Sequence, residues 1–165
     1  MDTFVGVVNE LDTFLKSNGE KGIKNNAENL QNANFNLDNK DIDGLLVGNC
    51  EINNATLTNI YWGGAYITNS KFNLVVFKNI DFRKAEFYSS IFLNCIFSSC
   101  KFIGASIQTS NFQNTIFDNC DFTNTIIEGN DFSITILANI VYSDNTHIEN
   151  NRSVLCCNDD KSPQV

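Results

Sequence analysis

The sequence predicts a repeat architecture, a coil assembled from five-residue units, in place of a mixed globular domain. Three phased rows of residues carry that prediction. Of 14 Phe, 11 fall on a strict spacing of five, at positions 72, 77, 82, 87, 92, 97, 102, 112, 117, 122 and 132. Ile107, Ile127, Leu137 and Tyr142 fill the remaining places, and Ile67, Trp62, Leu57, Ile52, Val47 and Ile42 extend the series backwards, giving 21 consecutive large apolar positions. Two residues before these centres runs a mostly small row, including Cys50, Ala55, Ala65, Ser70, Ala85, Ser90, Ala105 and Ser110. Two residues after them runs a row of Asn54, Asn59, Asn69, Asn79, Asn94, Asn114, Asn119, Asn124 and Asn139, with Gly64, Gly104 and Gly129. Asn and Gly tolerate the positive φ that turns require. Neither the helical nor the strand period produces this spacing. Each unit therefore reads small and inward, outward, large and inward, outward, corner.

Segments such as Ala85-Glu86-Phe87, Cys120-Asp121-Phe122 and Ala55-Thr56-Leu57 resemble the pentapeptide-repeat proteins, whose consensus is Ala-(Asp/Asn)-(Leu/Phe)-x-x. The resemblance covers roughly residues 27–144. It implies an all-β fold, a right-handed quadrilateral β-helix with four pentapeptides per coil and the large and small inward residues filling the interior. The centres then make about five coils, five to six with upstream residues included, and a rod about 25 Å long at a strand spacing of about 4.8 Å. Ile60, Ile80, Ile140 and Val75 are bulky where a small residue is usual, so slight bulges are expected there. Asn130 is polar at such a position and needs an internal hydrogen-bond partner.

Taken in order, residues 1–26 form an amphipathic leader and linker. Phe4, Val8, Leu11 and Leu15, supported by Val7 and Phe14, make one stripe of a short N-terminal α-helix that ends at Asn18-Gly19. Open stacked coils expose core and edge backbone, so the helix reads as an end cap; a partner-docking helix is the other reading. Residues 27–144 are the repeat. Leu30 and Ala33-Asn34-Phe35 look out of phase with Leu37 and Ile42, which predicts a partial first coil and a two-residue slip near Asn36 to Lys40. Residues 145–165 leave the period at His147 and read as a C-terminal cap followed by a flexible tail.

Composition narrows the chemistry. There are 27 Asn among 165 residues, only 18% charged residues, and a net charge of −8. That balance argues against direct nucleic-acid binding, which needs clustered Lys and Arg. No CxxC spacing occurs and the single His147 cannot complete a metal set, so no metal or cofactor is expected. Cys50, Cys95, Cys100 and Cys120 belong to the small inward row and read as buried thiols, whereas the adjacent Cys156 and Cys157 read as exposed and oxidisable. The acidic N-terminal residues do not look like a signal peptide, and no long apolar run predicts a membrane span; the cytoplasm is the expected compartment. No phosphate loop or catalytic constellation is present, which predicts neither an enzyme nor a small-molecule substrate.

Two surface features point to partners. A twenty-residue coil stacks Thr56, Val76, Ile96, Ile116 and Ile136 as outward neighbours, with Asn59, Asn79, Ser99, Asn119 and Asn139 as the corner row beside them. The aliphatic ladder reads as simple β-preference or as a contact for another protein or a second copy, a possible homodimer. Between Lys101 and Arg152 no basic residue occurs, while Asp118, Asp121, Glu128, Asp131 and Asp144 add negative charge. That stretch reads as a solubilising surface or as an imitation of DNA presented to a basic groove. The first hypothesis is thus a non-enzymatic interaction or scaffold module. The second is a DNA mimic that binds a type II topoisomerase such as gyrase, the activity that the resemblance brings from the family's quinolone-resistance and immunity members.

Overall fold

Each turn of the chain closes on four short sides. In the computed structural model, which describes residues 3–22, 26–152 and 155–156, the turns stack in parallel with a twenty-residue register through most of their length. We number the faces by their inward centres. The first face carries Ile42, Trp62, Phe82, Phe102 and Phe122; the second Val47, Ile67, Phe87, Ile107 and Ile127; the third Ile52, Phe72, Phe92, Phe112 and Phe132; the fourth Leu57, Phe77, Phe97, Phe117 and Leu137. Among the described residues, the second face is a seven-stranded parallel sheet that runs from Ala27–Glu28 through Glu86–Tyr88 to His147–Glu149. An eight-stranded sheet covers the fourth face and part of the third, because Gln31–Asp38, Glu51–Thr58 and Lys71–Lys78 each bend around the shared corner as one strand. The first face is joined by single bridges, Asp41 to Tyr61 to Asp81 to Lys101 to Asp121 to Val141.

The five-residue period is physical because inward centres meet their counterparts one coil away. Phe72, Phe92, Phe112 and Phe132 stack at centroid separations of 4.8, 5.0 and 5.2 Å with interplanar angles of 2°, 5° and 8°. Phe77, Phe97 and Phe117 form a second column at 4.5 and 4.7 Å. Neighbouring columns touch edge to face, as in Phe72 against Phe77 at 5.7 Å and 60°, an orientation the ring quadrupole favours. Trp62 packs between Phe4 and Phe82, its Nε1 buried without a hydrogen-bond partner among the described residues.

The corner row adopts the expected left-handed backbone. Asn54, Asn59, Asn69, Asn79, Asn94, Asn114, Asn119, Asn124 and Asn139 all have φ between 48° and 56°. Leu74 (φ 57°) and Ile134 (φ 61°) hold the same conformation, which costs an ordinary L-residue roughly 1–2 kcal/mol. Bulky Ile60, Ile80 and Val75 are accommodated with pairing unbroken around them.

The small inward row also carries a buried hydrogen-bond column that its composition did not announce. Cys50 N–H donates to Ser70 Oγ (3.0 Å), Ser70 N–H to Ser90 Oγ (3.2 Å), Ser90 N–H to Ser110 Oγ (3.1 Å) and Ser110 N–H to Asn130 Oδ1 (2.9 Å). Asn130 N–H continues to Asn151 Oδ1 (2.9 Å), and its amide group donates to the Ile107 carbonyl (2.8 Å). The partner expected for Asn130 is therefore its own column.

Two sequence expectations need correction. There is no phase slip near Asn36 to Lys40: Asn32 pairs with Ile52, Phe35 with Ala55 and Leu37 with Leu57, so the first coil is in register from Ala27. The misreading came from Asn32, a polar residue at a centre, and Phe35, a large one in the small row; both face the helix instead of another coil. The ladder also does not end at residue 144. Ile127 pairs with Ile148, so one extra residue near 142–146 shifts the phase, and His147–Glu149 still forms a strand. Further on, Ile136 pairs with Leu155. Cys157 and the expected tail from residue 157 lie outside the described residues.

The N-terminal helix, Phe4–Lys16, closes the first coil. Thr3 caps it by accepting the Gly6 N–H at 3.0 Å. Phe4, Val7, Val8 and Leu11 are buried in the common core, and Phe4 N–H donates to Asn32 Oδ1. Asp12 is the polar lock: its carboxylate accepts the Asp41 N–H at 2.7 Å and pairs with Lys16 (2.7 Å) and Lys40 (3.3 Å). Burial pushes the Asp12 carboxyl up, but these donors together outweigh it and hold the group below the ordinary carboxylate value. Gly22 (φ 77°) permits the return of the chain along the helix, since a Cβ there would lie 2.4 Å from the Glu10 carbonyl oxygen.

Candidate partner-binding faces

The aliphatic residues singled out by the coil period do stack. Thr56, Val76, Ile96, Ile116 and Ile136 are consecutive register partners on the fourth face. Ile96 and Ile136 are exposed, and Thr56, Val76 and Ile116 are half-buried by their neighbours. Their side chains point outward because the centres between them point inward, the alternation of any strand. The exposed Leu74 and Ile134 stand at the corner that joins this face to the third, where neighbouring coils place Asn34, Asn54, Asn94 and Asn114. Sequence reasoning missed these two, although a Leu and an Ile in a row of Asn was a readable signal.

The amide ladders are real and interrupted. Asn79 donates to Asn59 (2.7 Å), and Asn119 to Ser99 (3.1 Å), but Asn139 turns to Asp118 (2.9 Å). At the other corner Asn54 bonds Asn34, and Asn114 bonds Asn94, while Asn94 turns to Asn73 beside Leu74.

The acidic residues are distributed around the rod. Asp118 lies on the fourth face, Asp121 on the first, Asp144 in the turn that leaves the first face, Glu128 on the second and Asp131 on the third. Asp131 is engaged: hydrogen bonds from Ser133, aided by Gln113 and Arg152, hold its carboxyl below the ordinary value against the opposing effect of burial. On the first face, Asp41 and Asp81 flank Tyr61, Asp81 pairs with Arg83 at 2.7 Å, and the guanidinium lies 5.9 Å over the Tyr61 ring. Burial, then the charges of Asp41 and Asp81, push the Asp43 carboxyl up.

Among the described residues, chemistry-bearing groups do not converge. His147 faces Glu149 at 3.4 Å on the second face. Cys50, Cys95, Cys100 and Cys120 are free and buried, and burial pushes the Cys95 thiol up to about 12. Burial, and then Cys120 one coil away, push the Cys100 thiol up as well. Among the described residues no cluster of His, Cys, Asp and Glu is able to hold a metal ion, and no helix is long and apolar enough to cross a membrane. A shallow groove of about 210 Å³ between the fourth and first faces, lined in part by Tyr61, Asp81 and Lys101, is too small to enclose a drug-sized ligand.

Residues 82–133 match the sequence profile of pentapeptide repeats, in nine copies. No curated protein matches the chain in sequence. Among solved structures, the fold is similar to that of the pentapeptide repeat protein Rfr23 from the cyanobacterium Cyanothece 51142, with a TM-score of 0.58 and 15% identity over 86% of this chain and 98% of that one. A trypsin-treated form of QnrB1, a plasmid-mediated fluoroquinolone resistance protein, also matches, at 15% identity and a TM-score of 0.37 over 76% of this chain and 68% of that one. The twenty-residue register, the stacked Phe centres and the Asn corners make the fold that of a pentapeptide-repeat β-helix, and residues 82–133 match the family profile itself.

Proposed function

We propose that this protein is a non-enzymatic interaction module whose docking surface is the fourth face. The observation that carries the reading is the unbroken outward row Val76, Ile96, Ile116 and Ile136, aligned over four coils and left exposed or half-exposed by the described residues. Scattered exposed apolar residues are ordinary, but a contiguous patch on a flat sheet marks a contact surface. The rigid coil presents that patch at fixed spacing, so binding orders little of the module itself. The test uses two variants, Ile116→Asp on the fourth face and Ile126→Asp on the second, as baits against a lysate of the native host. Loss of a bound protein with I116D but not I126D, both folded by circular dichroism, supports the reading. A bait whose partners survive I116D refutes it.

A second reading has its own observation. From residue 118 to 131 one carboxylate stands on each face in turn, through Asp118, Asp121, Glu128 and Asp131, which gives the rod negative charge around its circumference. A duplex imitator addressing the basic groove of a type II topoisomerase would need such a distribution. Gyrase supercoiling with and without a quinolone decides it: neither inhibition nor protection at micromolar protein removes this reading.

A further inference from the structure

The outward residues of the fourth face are arranged symmetrically. Its apolar patch consists of Leu74, Val76, Ile96, Ile116, Ile134 and Ile136, spread over four successive coils. The patch is symmetric about the midpoint between Ile96 and Ile116, with Leu74 and Val76 in the coil at one end and Ile134 and Ile136 in the coil at the other. The second outward row of the same face reads Lys78, Ser98, Asp118 and Ala138 in the same four coils. Lys78 forms no ion pair among the described residues.

We propose that the occupant of this face is a second copy of the chain, docked antiparallel about a two-fold axis that lies in the interface and runs along the strands between Ile96 and Ile116. The proposal rests on the reading of the fourth face as a docking surface and names its partner. Such an axis returns each outward row to itself with the order of coils reversed, as an isologous interface requires. Val76 then meets the partner's Ile136, Ile96 the partner's Ile116, and Leu74 the partner's Ile134. Lys78 comes within one coil step, about 4.8 Å along the rod, of the partner's Asp118. A two-fold axis along the rod would instead press the aliphatic row against Lys78, Ser98 and Asp118, burying charge on isoleucine. Of these two arrangements, the antiparallel one matches apolar to apolar and leaves cation and anion one coil step apart.

The strained corners supply an independent observation. Leu74 and Ile134 keep a left-handed backbone with 55% and 67% of their surface exposed, in a row otherwise made of Asn. Both break the side-chain amide ladder of that corner. More than half of each is exposed on the isolated rod, and they sit at the two ends of the symmetric patch, where a two-fold contact uses each of them twice.

Sedimentation equilibrium of the full chain across the micromolar range tests the proposal. Wild type is expected to dimerise, and I116D to weaken the dimer at least about tenfold, as a charge in the centre of a buried patch does. K78D and D118K should each weaken association, and the K78D/D118K double variant should restore it, a recovery that a merely destabilised fold cannot produce. Replacement of Leu74 and Ile134 by Asn should raise the melting temperature of the monomer by about 2–4 °C while loosening the dimer. A wild type that stays monomeric overturns the proposal, as does a dimer indifferent to both I116D and charge reversal. If wild type is monomeric yet I116D still abolishes capture of a different protein, the docking face stands and the second copy falls; if capture is unchanged as well, both fall.

Discussion

The first coil and the middle of the rod share one register but fill their interiors differently. In the middle, Phe82, Phe87, Phe92 and Phe97 occupy all four centres of one turn, each touching another of them and, apart from Phe87, stacked on an aromatic ring one coil away. In the first coil the centres are Ala27, Asn32, Leu37 and Ile42, and the large residue is Phe35, in the row where later coils place Ala55, Val75 and Cys95. The helix accounts for the difference. It lays Phe4 against Phe35 and Trp62 at 6.0 and 6.2 Å and needs an acceptor for its Phe4 N–H, which Asn32 provides. A coil covered by another coil takes stacked rings; a coil covered by a helix takes what the helix leaves room for.

That contrast is sharpened by substitutions at the two places. Phe97→Ala removes a ring held between Phe77 and Phe117, and should cost about 3–5 kcal/mol in urea unfolding, the largest effect expected of any single change here. At the capped end, Asp12→Asn keeps an oxygen for the Asp41 N–H but removes the charge that Lys16 and Lys40 share; about 1–3 kcal/mol is expected at neutral pH. The sign of the pH dependence follows from the depressed Asp12 carboxyl. Its contribution is full above the unfolded value and is lost as pH falls through the lower folded one, so wild type and D12N should converge in acid. Helix detachment followed by near-ultraviolet absorption of Trp62 provides the readout. The smallest effect is kinetic: with the Cys95 thiol pushed up to about 12 and Cys100 raised as well, maleimide should leave both unmodified in the folded protein and label them only on unfolding. Labelling of Cys95 at the rate of a free thiol would mean that the middle coils open.

The middle of the rod was legible in the sequence because each of its constraints recurs. Inward centres, small rows and left-handed corners repeat every five residues, so a single phase places Phe72 to Phe132 and the outward row from Val76 to Ile136. The ends were not legible because what covers them does not repeat. Asn32 breaks the apolar series to bond a helix that is adjacent only in space, and Ile148 takes its place after one added residue. Asp12 showed no sign of its role, since its partners Asp41 and Lys40 are nearly thirty positions away. Of the candidate surface, alignment was readable and symmetry was not: it emerges once Leu74 and Ile134 are seen to keep corner geometry without corner chemistry.

The buried column from Cys50 to Asn151 gives the rod a direction of assembly. Every one of its backbone donors is satisfied by a side chain that the ribosome delivers about twenty residues later. A nascent chain therefore always trails one incomplete turn at its leading edge, and each new turn finishes its predecessor. A chain stopped before Asn130 leaves the amide of Ser110 waiting, and among the described residues Asn151 is the last acceptor in the line.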